Sequence, residues 1–555
     1  MIGQSEHLTK IAKEQWTSEV KIDARRGRIL DRNGLELAVS ANVYRVDLDM
    51  NSMRQHLEEK GITREEIAPK LADALNMDKD EVLKTLYKTL PNGLPMASAS
   101  LARRIEKAQA DKVIDLAIRG IQVSSDTKRY YPYENFLSHV LGFVRKDGVG
   151  LNGVELSYDK ILSGIPGRII SETDNKSKGQ PYIISEFTKP VDGKDLVLTI
   201  DKTIQQFAEK AAEQALRDNK AKAVTIMAMD PNTGEILALA NKPDFNPNSP
   251  WVQGKTDDEL QKMWRNRAVS DTFEPGSIFK IIPAYAAMEE NVVKENDHFV
   301  CGGSSKVLNR VIHCWKRTGH GDQTFIDILK NSCNVGFMEI GKRLGKENLT
   351  KYINRFGFGQ KTGIDLPGEA KGIIRKVSSI TDVDVATISF GQSNTVSSLQ
   401  YLTALNAIAN GGKLITPHIM KEVVQLDNSN KVIFEQKYDD YNEKSILKED
   451  VANTLRGYLE KVVGEGGGKK AYIPGYHIAG KTGTAQVLAK KNASDDLSRE
   501  NIAWSSRNHA IFTGYAPFDD PKYAIAVYYD HGGGGGRAAA PIAKKIMQLV
   551  LEKYL

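Results

Sequence analysis

Val224-Thr225-Ile226-Met227-Ala228-Met229-Asp230, then Pro231-Asn232-Thr233-Gly234, then Glu235-Ile236-Leu237-Ala238-Leu239-Ala240: two short apolar runs joined by a Pro-Asn-Thr-Gly turn read as a β-hairpin. A second hairpin is written near the C-terminus, where Ala510–Tyr515 runs to Asp519-Asp520-Pro521 and Tyr523–Tyr529 returns. Just ahead of the first, Leu196–Ile200 reads as a short strand. Asp201 is placed to cap a helix that carries Ile204, Phe207, Ala211 and Ala215 on one face. The last helix shows Ile542, Ile546, Leu549 and Val550 at helical spacing, a face to lay on a sheet. Strands at both ends with helices between them predict one α+β domain over 196–555, an antiparallel sheet flanked by helices.

Residues 1–195 have another texture. Arg25–Gly34 reads as a strand and hairpin, 63–118 as charged and helical, and glycines and prolines punctuate the rest too often for one large packed unit. An elongated pedestal is expected rather than a catalytic body. The chain has 555 residues, 41% hydrophobic and 26% charged, which excludes a largely disordered protein. Its net charge of +6, spread over that length, gives no nucleic-acid footprint, and three cysteines exclude a disulfide scaffold. No window has the roughly 18 consecutive apolar residues of a membrane helix. Gly464–Gly468 and Gly532–Gly536 read as flexible loops.

The chemistry is concentrated in three short stretches. In Glu274-Pro275-Gly276-Ser277-Ile278-Phe279-Lys280, Pro-Gly places Ser277 at a helix start, and one helical turn brings the Lys280 amine beneath it. A hydroxyl is a poor nucleophile until a base takes its proton, and a desolvated lysine can do so. Alone, Ser-x-x-Lys is common by chance and fits a surface lysine equally well. Here it is followed by Ser332-Cys333-Asn334, and later by Lys481-Thr482-Gly483-Thr484 within an apolar strand. That order is shared by penicillin-binding proteins and serine β-lactamases. A second triplet, Lys361-Thr362-Gly363, lies in a loop-like context with Ile364 where a hydroxyl is needed, and reads as structural.

The resemblance extends over nearly the whole chain. Arg26–Gly34, His139–Phe143 and Gly153-Val154-Glu155 resemble the N-terminal module of class B penicillin-binding proteins. The hairpin at 224–240, His320-Gly321, Ser332–Phe337 and Ser389-Phe390-Gly391-Gln392 resemble their transpeptidase domain. The nearest branch is the sporulation one, of stage V sporulation protein D type. The resemblance implies a pedestal or dimerisation-type module at 1–195 and a β-lactamase-like transpeptidase domain at 196–555. Ser277 would attack a stem peptide ending in D-Ala-D-Ala, with Lys280 as base and Ser332 and Asn334 relaying the proton and binding substrate. Lys481, Thr482, Gly483 and Thr484 would hold the terminal carboxylate, and the N–H groups of Ser277 and Thr484 the oxyanion. No cofactor is needed for that chemistry. β-Lactams would acylate Ser277, and a membrane glycosyltransferase that polymerises lipid II is the implied partner. Relatives carry an N-terminal membrane anchor. None is written in 1–16, so an extracytoplasmic, membrane-anchored protein with its anchor trimmed is expected.

Other readings compete. A β-lactamase needs a group that activates a deacylating water, and none is evident. A D,D-carboxypeptidase differs only in the acceptor, and a silent scaffold or β-lactam sensor would keep the pocket without the chemistry. The cysteines are open in a different way. Asp297, Cys301, His313 and Cys314 have the types and spacing for a structural zinc bracing the loop that leads to Ser332. A Cys301–Cys314 disulfide and unlinked thiols are the alternatives, Cys333 reads as a buried small residue, and His320, also a possible fourth ligand, is better read as structural because His-Gly fits the family pattern. Residues 489–508 read as a surface loop or a flap beside Lys481, Asn492-Ala493-Ser494 as a chance glycosylation pattern, and Arg25, Arg26 and Arg28 as solvated structural arginines.

Overall fold

The computed structural model describes residues 17–172, 183–426, 431–438, 442–490, 502–531 and 533–554. The two hairpins read from the sequence lie side by side in one antiparallel sheet. Its strand order is Ile236–Lys242, Ala223–Met229, Tyr523–Asp530, Ile502–Ala516 and Ala479–Lys490. Val527 pairs with Ile226 and Ala526 with Met227. Every residue of the first hairpin's strands is buried, because both faces of the sheet are covered. Val224, Ile226 and Ala228 belong to a core shared with the helices Lys202–Asp218 and Ala540–Tyr554. Met227 and Met229 belong to the larger core on the other side. Apolar runs without alternation follow from burial on both faces.

Asp201 caps the helix Lys202–Asp218 as expected, accepting from the N–H groups of Thr203 and Ile204. The C-terminal helix lies on the sheet, but its buried stripe is rotated from the expected one toward Ala543, Ile546, Met547, Val550 and Leu551. The small Ala543 lets the helix approach closely. On the opposite side of the sheet stand the helices Ile281–Glu289, Asn334–Arg355, Ser398–Ala409 and Glu449–Gly464. Ser398–Ala409 is buried along its whole length and forms the centre of that lobe.

In the pedestal, Ile29–Leu30 and the long strand Glu36–Asp49 form the expected hairpin. The helical reading of 63–118 is corrected in part. Helices Arg64–Leu75, Lys79–Leu86 and Lys107–Asp115 are present, but Ser98–Ile105 is a strand paired with Glu36–Asp49. These elements enclose a core of their own around Val46, Leu71, Leu86 and Val113. Asp195–Leu198 runs parallel to Ile29–Leu30 and antiparallel to Met420–Leu426, so a single sheet crosses the expected division at 195.

Arg26 is not solvated. Its Nε donates to Glu155 Oε2 at 2.7 Å and its Nη1 to Asp159 Oδ1 at 2.7 Å, while Arg129 Nε donates to Glu155 Oε1 at 2.6 Å. Two sequence runs more than a hundred residues apart meet in this buried network. Burial pushes the Glu155 carboxyl up, and Arg129 and Arg26 outweigh it, so its pKa ends below the ordinary 4.5.

Candidate active site

Gly276–Lys280 is a tight 3₁₀ turn that runs into the buried helix Ile281–Glu289. One turn puts Lys280 Nζ 3.1 Å from Ser277 Oγ. Ser332 ends the connection after the helix Phe325–Lys330, with φ at +51°, a left-handed conformation that turns its carbonyl inward. Lys280 Nζ donates to that carbonyl at 2.6 Å and to Asn334 Oδ1 at 2.7 Å, and lies 3.2 Å from Ser332 Oγ. The structure thus gathers Ser277, Lys280, Ser332 and Asn334 around a single amine. Lys280 is fully buried. Burial, then repulsion from Lys481, pulls its pKa well below that of an ordinary lysine.

Lys481–Thr484 lies on the edge strand Ala479–Lys490, as expected. Lys481 is fully buried, which lowers its pKa from 10.5 to about 7, while Thr484 is exposed. Gly483 is required by the packing: a Cβ there would stand 2.8 Å from Ile278 Cγ2, so only glycine lets this strand press on the serine turn. Glycine is equally required at Gly391, where φ is +88° and a Cβ would fall 2.0 Å from the Gly276 carbonyl oxygen. The Gly276 N–H donates to the Gly391 carbonyl at 2.9 Å, and the Ser393 N–H to Glu274 Oε1 at 2.9 Å. The Ser389–Gln392 run therefore supports the back of the serine turn.

Three supports were not legible beforehand. Tyr401 OH donates to the Ile278 carbonyl at 2.5 Å from the middle of a wholly buried helix, and nothing in the local pattern marks it. Trp315, 63% exposed, donates its indole N–H to the carbonyls of Asn331 at 3.0 Å and Ser332 at 3.2 Å. The glycine run near the C-terminus is no loose loop at Gly535. This residue is buried, its N–H donates to Thr484 Oγ1 at 3.0 Å, and a Cβ would fall 2.1 Å from the Gly483 carbonyl oxygen. The triplet Lys361–Gly363 is structural: Glu369 accepts from the N–H groups of Thr362 and Gly363 and from the Thr362 hydroxyl. The ends of the 489–508 stretch continue two strands, Ala479–Lys490 and Ile502–Ala516; 491–501, with the Asn492–Ser494 pattern, lies outside the described residues.

The expected zinc ligands need correction. Asp297 is an ion-pair partner of Arg343 at 2.6 Å, and His313 is exposed at the end of the hairpin strand Arg310–His313. Cys301 and Cys314 do converge, but with Cys333 and His320, the ligand atoms of all four lying within 4.8 Å of one another. Strand His298–Cys301 alternates outward and inward, which buries Phe299 and Cys301 and leaves His298 exposed. All three cysteines are unlinked. Cys314 is held well below an ordinary thiol by the Cys333 S–H beside it, and Cys333 is pushed up in turn. His320 Nδ1 is 3.6 Å from Cys314 Sγ, and its buried Nε2 has no partner among the described residues.

Sheet, helical lobe and site are those of a penicillin-recognising protein. Residues 224–548 match the penicillin binding protein transpeptidase domain and residues 21–198 the penicillin-binding protein dimerisation domain. Stage V sporulation protein D of Bacillus subtilis (strain 168) is 38% identical over 555 residues, covering 98% of this chain and 80% of the relative. The peptidoglycan D,D-transpeptidase FtsI of Buchnera aphidicola subsp. Schizaphis graminum is 30% identical, covering 95% and 86%. A crystal structure of a peptidoglycan synthetase from Bifidobacterium adolescentis superposes with a TM-score of 0.74 at 27% identity, covering 97% of each chain. The chain belongs to the class B penicillin-binding proteins, the peptidoglycan D,D-transpeptidase family. No helix among the described residues is long and apolar enough to cross a membrane.

Proposed function

We propose that this chain cross-links peptidoglycan stem peptides through an acyl-serine intermediate. The observation that supports this best is Lys280: fully buried, 3.1 Å from Ser277 Oγ, and drawn well below an ordinary lysine's pKa by burial and then by Lys481, against a smaller opposing pull from Cys333 and Cys314. An amine whose pKa burial draws down in that place is a base for the serine. Ser277 Oγ attacks the penultimate D-Ala carbonyl of a stem ending in D-Ala-D-Ala, and its proton passes to Lys280. The Ser277 and Thr484 N–H groups take the oxyanion, each such donor contributing about 3 kcal/mol. Ser332 Oγ, 3.2 Å from Lys280 Nζ, relays the proton to the departing D-Ala amine. Lys481, Thr482 and Thr484 hold the terminal carboxylate, while Gly483 lets their strand approach. Asn334 orients the substrate amide. A second stem's amine then attacks the ester and completes the cross-link. β-Lactams acylate the same serine and remain.

The likeness to the sporulation protein over 98% of the chain supports a role in spore-cortex or septal wall synthesis. That work lies on the extracytoplasmic face of the membrane, beside a glycosyltransferase that polymerises lipid II. The deciding experiment is intact-protein mass after incubation with a penicillin. A stable adduct on the parent and none on Ser277→Ala is expected; no adduct on well-folded parent would favour a silent scaffold. Product analysis with an acceptor peptide then separates transfer from the hydrolysis of a carboxypeptidase.

The catalytic steps need no metal. A structural zinc is proposed separately, on Cys301, Cys314, Cys333 and His320: three thiols and an imidazole converging on one point suit tetrahedral zinc. It would brace the loop leading to Ser332. One zinc per chain at this cluster and a lower Tm for Cys301→Ser are expected, and zinc-free protein with an unchanged Tm would exclude it.

A further inference from the structure

A second group of metal-ligand side chains lies at the end of the sheet, away from the cysteines. His509 sits on the strand Ile502–Ala516, Asp530 ends the neighbouring strand, and His531 follows it. Both imidazoles converge on one carboxylate oxygen: His531 Nδ1 is 2.5 Å and His509 Nδ1 3.3 Å from Asp530 Oδ1. The three side chains are only 12%, 14% and 21% exposed in the order His509, Asp530, His531. Their ligand atoms lie within 4.8 Å of one another. Tyr528 OH, 3.0 Å from His509 Nδ1, holds that ring from the next strand.

His531 has φ at +63°, a left-handed conformation uncommon outside glycine that histidine adopts more readily than most residues. Five glycines follow at once, Gly532–Gly536, any of which would take this conformation without strain. The residue in this position is a histidine, and its ring stands against Asp530. A single carboxylate–imidazole pair needs one histidine. Two imidazoles crowded on one shared oxygen, with rings 5.8 Å apart and at 86°, make a converging donor set.

We propose that His509, Asp530 and His531 bind a divalent transition-metal ion of the zinc class, at a site separate from the cysteine cluster. Two imidazole nitrogens and a carboxylate are the ligands of an open zinc site, whose fourth position takes water or an exogenous carboxylate. From His531 the chain passes Gly533, whose N–H donates to the Asn508 carbonyl at 3.4 Å, and reaches Gly535 on Thr484 Oγ1. The ion therefore clamps the segment that touches the carboxylate-binding threonine.

The test uses the whole chain, stripped with a chelator and titrated in parallel with Zn(II) and Co(II). His531→Ala and the isosteric Asp530→Asn are each expected to lose one ion per chain, or to weaken its binding about a hundredfold or more. Both should keep whatever thiolate-to-Co(II) charge-transfer band the parent shows. Cys301→Ser should keep this ion, whose Co(II) spectrum has no thiolate band. Parent and both variants binding the same number of ions with the same affinity would overturn the proposal. So would a parent whose every bound Co(II) is lost with Cys301→Ser.

Discussion

Lys280 and Lys481 are both fully buried, and their surroundings give them different tasks. Lys280 must be neutral to take the Ser277 proton. Because burial and then Lys481 depress its pKa, the acid limb of acylation rate against pH is expected well below the lysine range. A limb near pH 10 would remove Lys280 from the base role. Lys280→Met should slow acylation by about 10²–10⁴-fold. Lys481, at about 7 in the free protein, is expected to gain a proton when a carboxylate arrives. Binding of a D-Ala-D-Ala peptide to Ser277→Ala above pH 7 should thus take up close to one proton, read from the dependence of the binding heat on buffer ionisation; no uptake would sink the idea. The three catalytic runs were legible because each compresses its chemistry into three or four residues. Cys333 reads as a core residue and His320 as structural before it reads as a ligand, because each stands in a run with another reading. The contact that unites them is made by folding, not by spacing.

Single elements carry the site through close approach. The edge strand, the serine turn, the Ser389–Gln392 segment and the glycine run touch where a Cβ would not fit. Gly391→Ala combines overpacking with a left-handed φ and is expected to cost about 3 kcal/mol or more, seen as a lower Tm with slower penicillin acylation. Gly475 is the control. It also has positive φ, at +85°, but nothing lies within 4 Å of a Cβ there, so alanine should cost about 1 kcal/mol with acylation unchanged. Equal losses for the two would mean that conformation, not contact, decides. Hairpins and amphipathic helices were readable from periodicity and turns. The strand Ser98–Ile105, with Arg103 and Arg104 in it, was not, because its pattern is set by a partner far away in sequence.

Across the whole molecule, Glu155 joins three segments of the pedestal. Glu155→Gln leaves Arg129 buried without its anion and Arg26 with Asp159 alone, and a loss of about 3–5 kcal/mol in unfolding free energy is expected. The pH dependence follows the same contact. The folded pKa lies below the ordinary 4.5, so the contribution is complete above that value and is lost as pH falls through the lower one. Glu155→Gln should therefore flatten the acid side of the stability profile; an unchanged acid side would mean that other carboxylates govern it.

The sheet that crosses residue 195 has a consequence for how the protein is made. Asp195–Leu198 is complete early in synthesis, but its neighbour Met420–Leu426 appears more than two hundred residues later. At ~5–20 residues per second, one side of a formed strand stands open for roughly 10–40 s. During that interval it is a template for any passing extended chain. A newborn pedestal is thus expected to need that edge shielded until the catalytic half arrives to close it.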